Sequence, residues 1–321
     1  MSEIFEPVPE SDYLPEEREI LLPSGPVRCW RYPGITRGPL QDAAGEPSPQ
    51  TALLVHGFRG DHHGLALIAG HLRARRDVVV PDLPGFGRSE PLARQPHDSE
   101  AYARTLTELA EHLGGKHDAA HAPFLHLIGH SYGSVIAARM ASQRPDLFSS
   151  LGLINPIAEP ALDSAQRWPA LAASAFYRTC ALLPRPLGWA LVRSRLVTRI
   201  SSELMMKNDD PQLRRYINGQ HDSYFGSFAN HQVVMQSYAD SIRRTVAECA
   251  AEIHVPTLLI AGARDELGSP AAQQRLRAQF PAPARAHLEL LPQVGHLIHY
   301  EAPRRAAALL ESHAAAAERR A

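Results

Sequence analysis

Residues Gly129-His130-Ser131-Tyr132-Gly133 decide how this chain is read. They follow the apolar run Phe124-Leu125-His126-Leu127-Ile128 and precede Val135-Ile136-Ala137-Ala138, so a strand passes into a helix through one serine. A serine at such a junction, with a glycine two residues away on either side, sits on the sharp, strained turn known as a nucleophile elbow. Gly129 and Gly133 are required because strand and helix almost touch there, and a side chain at either position would crowd the turn.

Outward from the elbow, short apolar and β-branched runs predict strands near Arg18–Leu21, Val27–Tyr32, Thr51–Val55, Val78–Pro81, Phe124–Ile128, Leu151–Ile154, Thr257–Ala261 and His287–Leu291. From Thr51 onward these runs are continuous rather than alternating, the pattern of parallel strands covered on both faces. Amphipathic segments between them predict helices at about Leu65–Arg75, Ser99–Leu113, Val135–Gln143, Pro270–Gln279 and Pro303–His313, with Ala314–Ala321 a fraying end. Alternating strands and helices mean an α/β fold with right-handed crossovers. The first two strands, joined through Pro23-Ser24-Gly25-Pro26, read as an antiparallel hairpin at the sheet edge. Gly38 to Gln50 reads as a Pro/Gly/Ser-rich surface loop.

The alternation breaks between Ala158 and about His254, where Pro160, Pro169, Pro184, Pro186 and Pro211 punctuate several helices rich in aromatic residues and methionine. Residues 158–254 are therefore expected to form a helical cap inserted between core strands 6 and 7. Residues 1–157 and 255–321 supply the core domain.

A serine hydroxyl is a weak nucleophile and needs a base that is itself oriented by a third group. After Thr257–Ala261 comes Gly262-Ala263-Arg264-Asp265, a carboxylate just past a strand end, with Glu266 its rival. After the last strand comes Gly295-His296, a histidine on the next such loop. The order Ser131, Asp265, His296 suits this geometry, and loops at the C-terminal ends of parallel strands converge where ligands bind. His299 is read as a wall residue.

An oxyanion forming on the substrate needs preorganised N–H donors. The backbone of Tyr132, directly after the serine, is one; Phe58, in His56-Gly57-Phe58-Arg59-Gly60, is the other. His56 is expected to hold that loop together with Gly57, and Asp82 to fix the turn Pro81–Ser89. Asp61-His62-His63 invites a metal reading, but adjacent histidines rarely both ligate and no cluster at i, i+4 spacing supports it. No metal is assigned. Arg59, His62, His63 and His130 are read instead as pocket lining.

The chain has 321 residues, 44% hydrophobic and 21% charged, enough for a substantial core with one insertion. Its formal charge of −1 gives no ground for a nucleic-acid or anionic-membrane partner. Cys29, Cys180 and Cys249 show neither metal spacing nor a disulfide framework, which fits a reducing compartment. The first ten residues lack the basic and apolar regions of a signal peptide. No apolar run reaches the ~18 residues of a membrane span. The cytoplasm is the expected location, and no oligomeric state is set.

Together His56-Gly57, the Asp82/Gly85/Gly87/Ser89 loop, the elbow, Asp265 and the His296/Glu301/Pro303 stretch resemble the α/β-hydrolase superfamily. Within it they resemble single-domain, carboxylesterase-like serine hydrolases with a helical cap. The resemblance implies an eight-stranded, mostly parallel sheet, a Ser-Asp-His triad, no cofactor and a small-molecule acyl substrate. A serine nucleophile departs from haloalkane dehalogenases and epoxide hydrolases. His130 and Tyr132 depart from the elbows of proline iminopeptidases and meta-cleavage C–C hydrolases. The expected activity is hydrolysis of a small carboxylic ester. Aminopeptidase or amidase action, with Glu203 or Asp209-Asp210 gripping an amine, and C–C hydrolysis or perhydrolysis are the alternatives on the same triad. A non-catalytic small-molecule receptor is the alternative of another class.

Overall fold

The apolar runs assemble into one eight-stranded sheet in the order β1-β2-β4-β3-β5-β6-β7-β8. The strands are β1 (Glu16–Leu22), β2 (Gly25–Tyr32), β3 (Thr51–Val55), β4 (Val78–Pro81), β5 (Leu125–His130), β6 (Phe148–Ile154), β7 (Thr257–Gly262) and β8 (His287–Leu291). The computed structural model describes residues 14–35, 51–114, 125–163, 167–284 and 286–320. The expected loop Gly38–Gln50 and the chain start fall outside them. β2 runs antiparallel to β1 and β4, and every pairing from β4 to β8 is parallel.

Strand alternation distributes the core. Leu53, Val55, Leu125, Leu127, Leu151 and Leu153 face a layer built by α2 (Ser99–Gly114) and α3 (Tyr132–Gln143). Ala52, Leu54, Ile128, Ile154 and Ile260 face α1 (His62–Leu72) and, through Ala306, Ala307 and Leu310, the last helix. With both faces covered, the strands read as unbroken apolar runs. Because β4 lies outside β3 while β5 lies inside it, the winding reverses between β3 and β5. A crevice opens at the C-terminal strand ends at such a reversal, and the His56 loop and Ser131 stand there.

Between β6 and β7 the chain forms α4 (Arg167–Leu182), α5 (Arg185–Val192), α6 (Arg195–Met205), α7 (Pro211–Tyr224) and α8 (His231–Ser241). After β7 come α9 (Pro270–Arg277), then β8, α10 (Ile298–Glu301) and α11 (Pro303–Glu318). Most strands and helices differ by one to three residues at an end from the sequence reading, and three differences bear on the packing. α1 starts at His62 rather than Leu65 because Asp61 caps it, accepting the His63 N–H. α3 starts at Tyr132, immediately after the elbow serine. The expected fraying tail is instead helical through Glu318. Buried Ala314 and Ala317 pack inward, and Glu318 pairs with Arg76 at 2.9 Å and meets His126 at 2.9 Å.

Candidate active site

β5 ends at His130 and α3 begins at Tyr132, so Ser131 alone makes the turn, at φ +53° and ψ −121°. A non-glycine residue rests there only when its surroundings hold it. The Ser131 N–H donates to the Ile154 carbonyl at 3.0 Å, and the Ser131 carbonyl accepts from the Ser134 N–H at 2.8 Å. A Cβ on Gly129 would overlap the Gly133 carbonyl, and one on Gly133 would overlap the Val55 carbonyl.

Asp265 and His296, both buried, reach the serine from separate loops. The Nδ1 of His296 lies 2.9 Å from Asp265 Oδ2, and its Nε2 lies 2.9 Å from Ser131 Oγ. An ionised carboxylate only accepts, so Nδ1 carries the proton and Nε2 is left to accept the serine hydroxyl. Burial is the largest influence on His296 and opposes its charging. The carboxylate of Asp265, helped by that of Glu266, outweighs it and holds the His296 pKa above the ordinary histidine value. Glu266 does not touch the imidazole: its Oε2 lies 3.1 Å from Lys207 Nζ, and burial raises its pKa.

Two positioning residues escaped the sequence reading of the site. Asn155, buried at the end of β6 with φ +44°, donates from Nδ2 to the carbonyls of Gly295 and His296 at 3.0 and 2.8 Å. Its Oδ1 accepts the Gly262 N–H at 2.8 Å, so one amide ties β6 to both the Asp265 and His296 loops. Its one sequence signal is a polar residue closing an apolar strand. Glu301 appeared only within the family pattern. Its carboxylate accepts the N–H groups of Gly295, Lys207 and Asn208, joining the His296 loop to the segment after α6.

The backbone of Gly57 passes alongside the serine, where a Cβ would lie 3.1 Å from Ser131 Cβ. His56 bonds within this loop and to the next one. Its Nδ1–H donates to the Gly57 carbonyl at 2.9 Å and its Nε2 accepts the Leu83 N–H at 2.9 Å, while burial keeps it neutral. Among the described residues, no hydrogen-bond acceptor meets the N–H of Phe58 or of Tyr132. Tyr132 stands at the N-terminus of α3, where helix N–H groups are unpaired and the dipole is positive.

The family profile described as "alpha/beta hydrolase fold" matches residues 52–303. The chain belongs to the alpha/beta hydrolase fold family. This hydrolase is 26% identical to Lipase 1 of Psychrobacter immobilis over 269 residues, which are 81% of this chain and 74% of that one. It is 25% identical to Lipase 3 of Moraxella sp. over 81% of this chain and 75% of that one. Its fold is shared with a thermophilic esterase from Thermogutta terrifontis, with a TM-score of 0.68 and 22% identity over 94% of this chain and 99% of that one.

In this hydrolase each of the four residues read as pocket lining is held by protein partners. His62 stacks on Trp30 and meets His63 at a tilt, with its Nδ1 3.0 Å from Asp82 Oδ1. His63 stacks on Tyr224 and its Nδ1 lies 3.0 Å from Asp61. Ligand-type atoms of Asp61, His62 and His63 gather within 4.8 Å, yet both Nδ1 atoms already face carboxylates. Asp82 also accepts the Arg88 N–H at 2.7 Å, which fixes its turn. His130 packs against His296 and His299, and burial pushes its pKa down to about 3. His299, buried between His130 and Tyr300, is likewise held neutral by burial. Arg59 turns away from the strand ends into the helical insertion. Its guanidinium reaches the Phe225 and Val192 carbonyls and the Tyr177 hydroxyl at 3.2, 2.9 and 3.1 Å.

Proposed function

We propose that this hydrolase cleaves a small carboxylic ester through an acyl-enzyme, with Ser131 as nucleophile, His296 as general base and acid, and Asp265 as the group that orients it. The observation that carries the reading is the single imidazole 2.9 Å from both a serine on a strained turn and a buried carboxylate. His296 takes the proton as Ser131 attacks the carbonyl carbon, and Asp265 stabilises the imidazolium. The N–H groups of Phe58 and Tyr132 receive the oxyanion. His296 then protonates the departing alcohol, and water activated by the same imidazole releases the acid.

Residues 158–254 act as a cap on a core of residues 1–157 and 255–321. Aromatic side chains of this cap approach the oxyanion loop: the Phe58 ring lies 6.0 Å from Tyr177 and 5.9 Å from Tyr238, which stack on each other. That wall favours an apolar or aromatic portion of the substrate. The aminopeptidase alternative is weaker, because two of its three candidate amine-gripping carboxylates are engaged: Glu203 by Arg214 and Asn218, Asp210 by capping α7. The three cysteines are buried and unpaired, which supports a reducing, cytoplasmic setting. Among the described residues no helix is long and apolar enough to cross a membrane.

Acyl esters of graded chain length, lactones and aminoacyl anilides, offered to the wild type and to Ser131→Ala, test the proposal. The expected pattern is ester turnover by the wild type alone, with a fluorophosphonate adduct on Ser131. Preferred cleavage of aminoacyl anilides would transfer the assignment to the peptidase alternative. Folded protein that neither turns over esters nor takes the label would favour the receptor.

A further inference from the structure

We propose that helices α4 to α6 form a docking surface for an anionic lipid bilayer, a partner that the overall charge of −1 conceals. The first observation is an inverted helix. α6 turns Leu196, Ile200 and Leu204 to solvent at 68%, 54% and 63% exposure, while Thr198 and Ser202 are buried. The three apolar residues stand four apart and share one stripe. A helix serving only a protein core presents such a stripe inward. Here Ser202 faces inward instead, bonded to the Thr198 carbonyl and His221.

The neighbouring helices repeat the pattern. α4 exposes Trp168, Leu171 and Leu182, the last at 87%, and α5 exposes Leu187. Seven of the twelve large apolar side chains exposed among the described residues fall between 167 and 205.

Charge selects the occupant. Residues 167–205 contain six arginines and one acidic residue, Glu203. Arg178, Arg185, Arg193 and Arg195 are exposed, and none has a carboxylate in ion-pairing reach among the described residues. An apolar surface set among unneutralised guanidinium groups matches an anionic bilayer: leucine, isoleucine and tryptophan enter the boundary of the acyl chains while arginines bind lipid phosphates. A second copy of the chain fits poorly, because a two-fold interface would oppose the same cationic patch to itself. The proposal stands apart from the catalytic reading, since none of these side chains contacts Ser131, His296 or Asp265.

Sedimentation of the full chain with vesicles tests it. The wild type is expected to pellet with phosphatidylglycerol/phosphatidylcholine vesicles and to remain in solution with phosphatidylcholine alone or in about 0.5 M salt. Replacing Arg178, Arg185 and Arg195 together by Gln should weaken binding about a hundredfold, at ~1 kcal/mol for each arginine. L196S/I200S/L204S should abolish it while retaining turnover of a soluble ester and the far-ultraviolet circular dichroism of the wild type. Wild-type protein that stays in solution with anionic vesicles overturns the proposal. So does vesicle binding indifferent to both sets of substitutions. Velocity sedimentation in which L196S/I200S/L204S turns a dimer into a monomer, with no vesicle binding, would make the face a self-interface.

Discussion

The Nε2 of His296 and the Oγ of Ser131 stand 2.9 Å apart although 165 positions of sequence separate them, and the imidazole is held at its other nitrogen by Asp265. The proton on Nδ1 is committed to the carboxylate, so the serine hydroxyl donates to Nε2 and its oxygen is the atom left to attack. Ser131→Ala should lower turnover by about a million-fold, the scale at which removing a triad nucleophile acts. Its circular dichroism and melting temperature should remain near the wild-type values. Steady-state assays with enough enzyme to detect the residual rate provide the check.

The pKa of His296 makes the pH profile a second test. A base works only when neutral, so kcat/KM should rise with pH through one ionisation lying above the ordinary histidine value of about 6.5. Activity is therefore complete above that raised pKa and lost as the pH falls through it. Glu266 adds to the elevation without touching the ring, so Glu266→Gln should move the midpoint to lower pH and leave the plateau rate nearly unchanged. Asp265→Asn should lower the plateau itself by about 10⁴-fold, because the imidazole loses both its tautomer and its partner. A Glu266→Gln midpoint that stays in place would show that this carboxylate does not reach the imidazole.

The elbow also constrains the fold. A methyl group on Gly133 would occupy the space of the Val55 and His56 carbonyl oxygens, which are main-chain atoms at the end of β3 and just past it and cannot rotate aside. Gly133→Ala should thus destabilise the protein by about 3 kcal/mol or more, the range of a severe core overpacking. Chemical denaturation measures it, with Gly219→Ala as the comparison, since nothing lies within 4 Å of a Cβ there.

Much of this arrangement was legible along the chain because it depends on local pattern. Continuous apolar runs revealed the strands, and Ser131, Asp265 and His296 each fall just past a strand end, where the parallel sheet collects them. What the chain concealed depends on partners distant in sequence. Asn155 looks like a strand-ending polar residue until the fold brings Gly262 and Gly295 to its amide. The ring partners of His62 and His63 were likewise hidden, because Trp30 and Tyr224 come from β2 and α7. The last turns of α11 looked like a fraying end because Arg76, which anchors Glu318, lies 242 positions earlier. The apolar stripe of α6 is equally compatible with burial and exposure, and tertiary packing alone decides between them.

Arg59 links the helical insertion to the loop after β3, which carries the Phe58 N–H proposed as an oxyanion donor. It follows Phe58 directly, sits at φ +62°, and is 4% exposed, with no carboxylate partner among the described residues. Its hydrogen bonds reach Tyr177 on α4, Val192 on α5 and Phe225 at the end of α7, and its guanidinium lies 4.9 Å from the Phe225 ring. One side chain thereby sets the Phe58 N–H relative to three elements of the insertion. Lysine keeps the charge but has neither the planar fork nor its spread of donors. Arg59→Lys should therefore lower kcat about ten- to a hundredfold, part of what removing an oxyanion donor costs. KM for a small ester should change little, because the guanidinium acts through the loop and not on the substrate. Loss of the three bonds should also cost about 2–3 kcal/mol of stability, visible as a lower denaturation midpoint. A merely structural arginine would lower the midpoint and leave kcat of the remaining folded enzyme intact, and that result would detach Arg59 from the placement of the oxyanion loop.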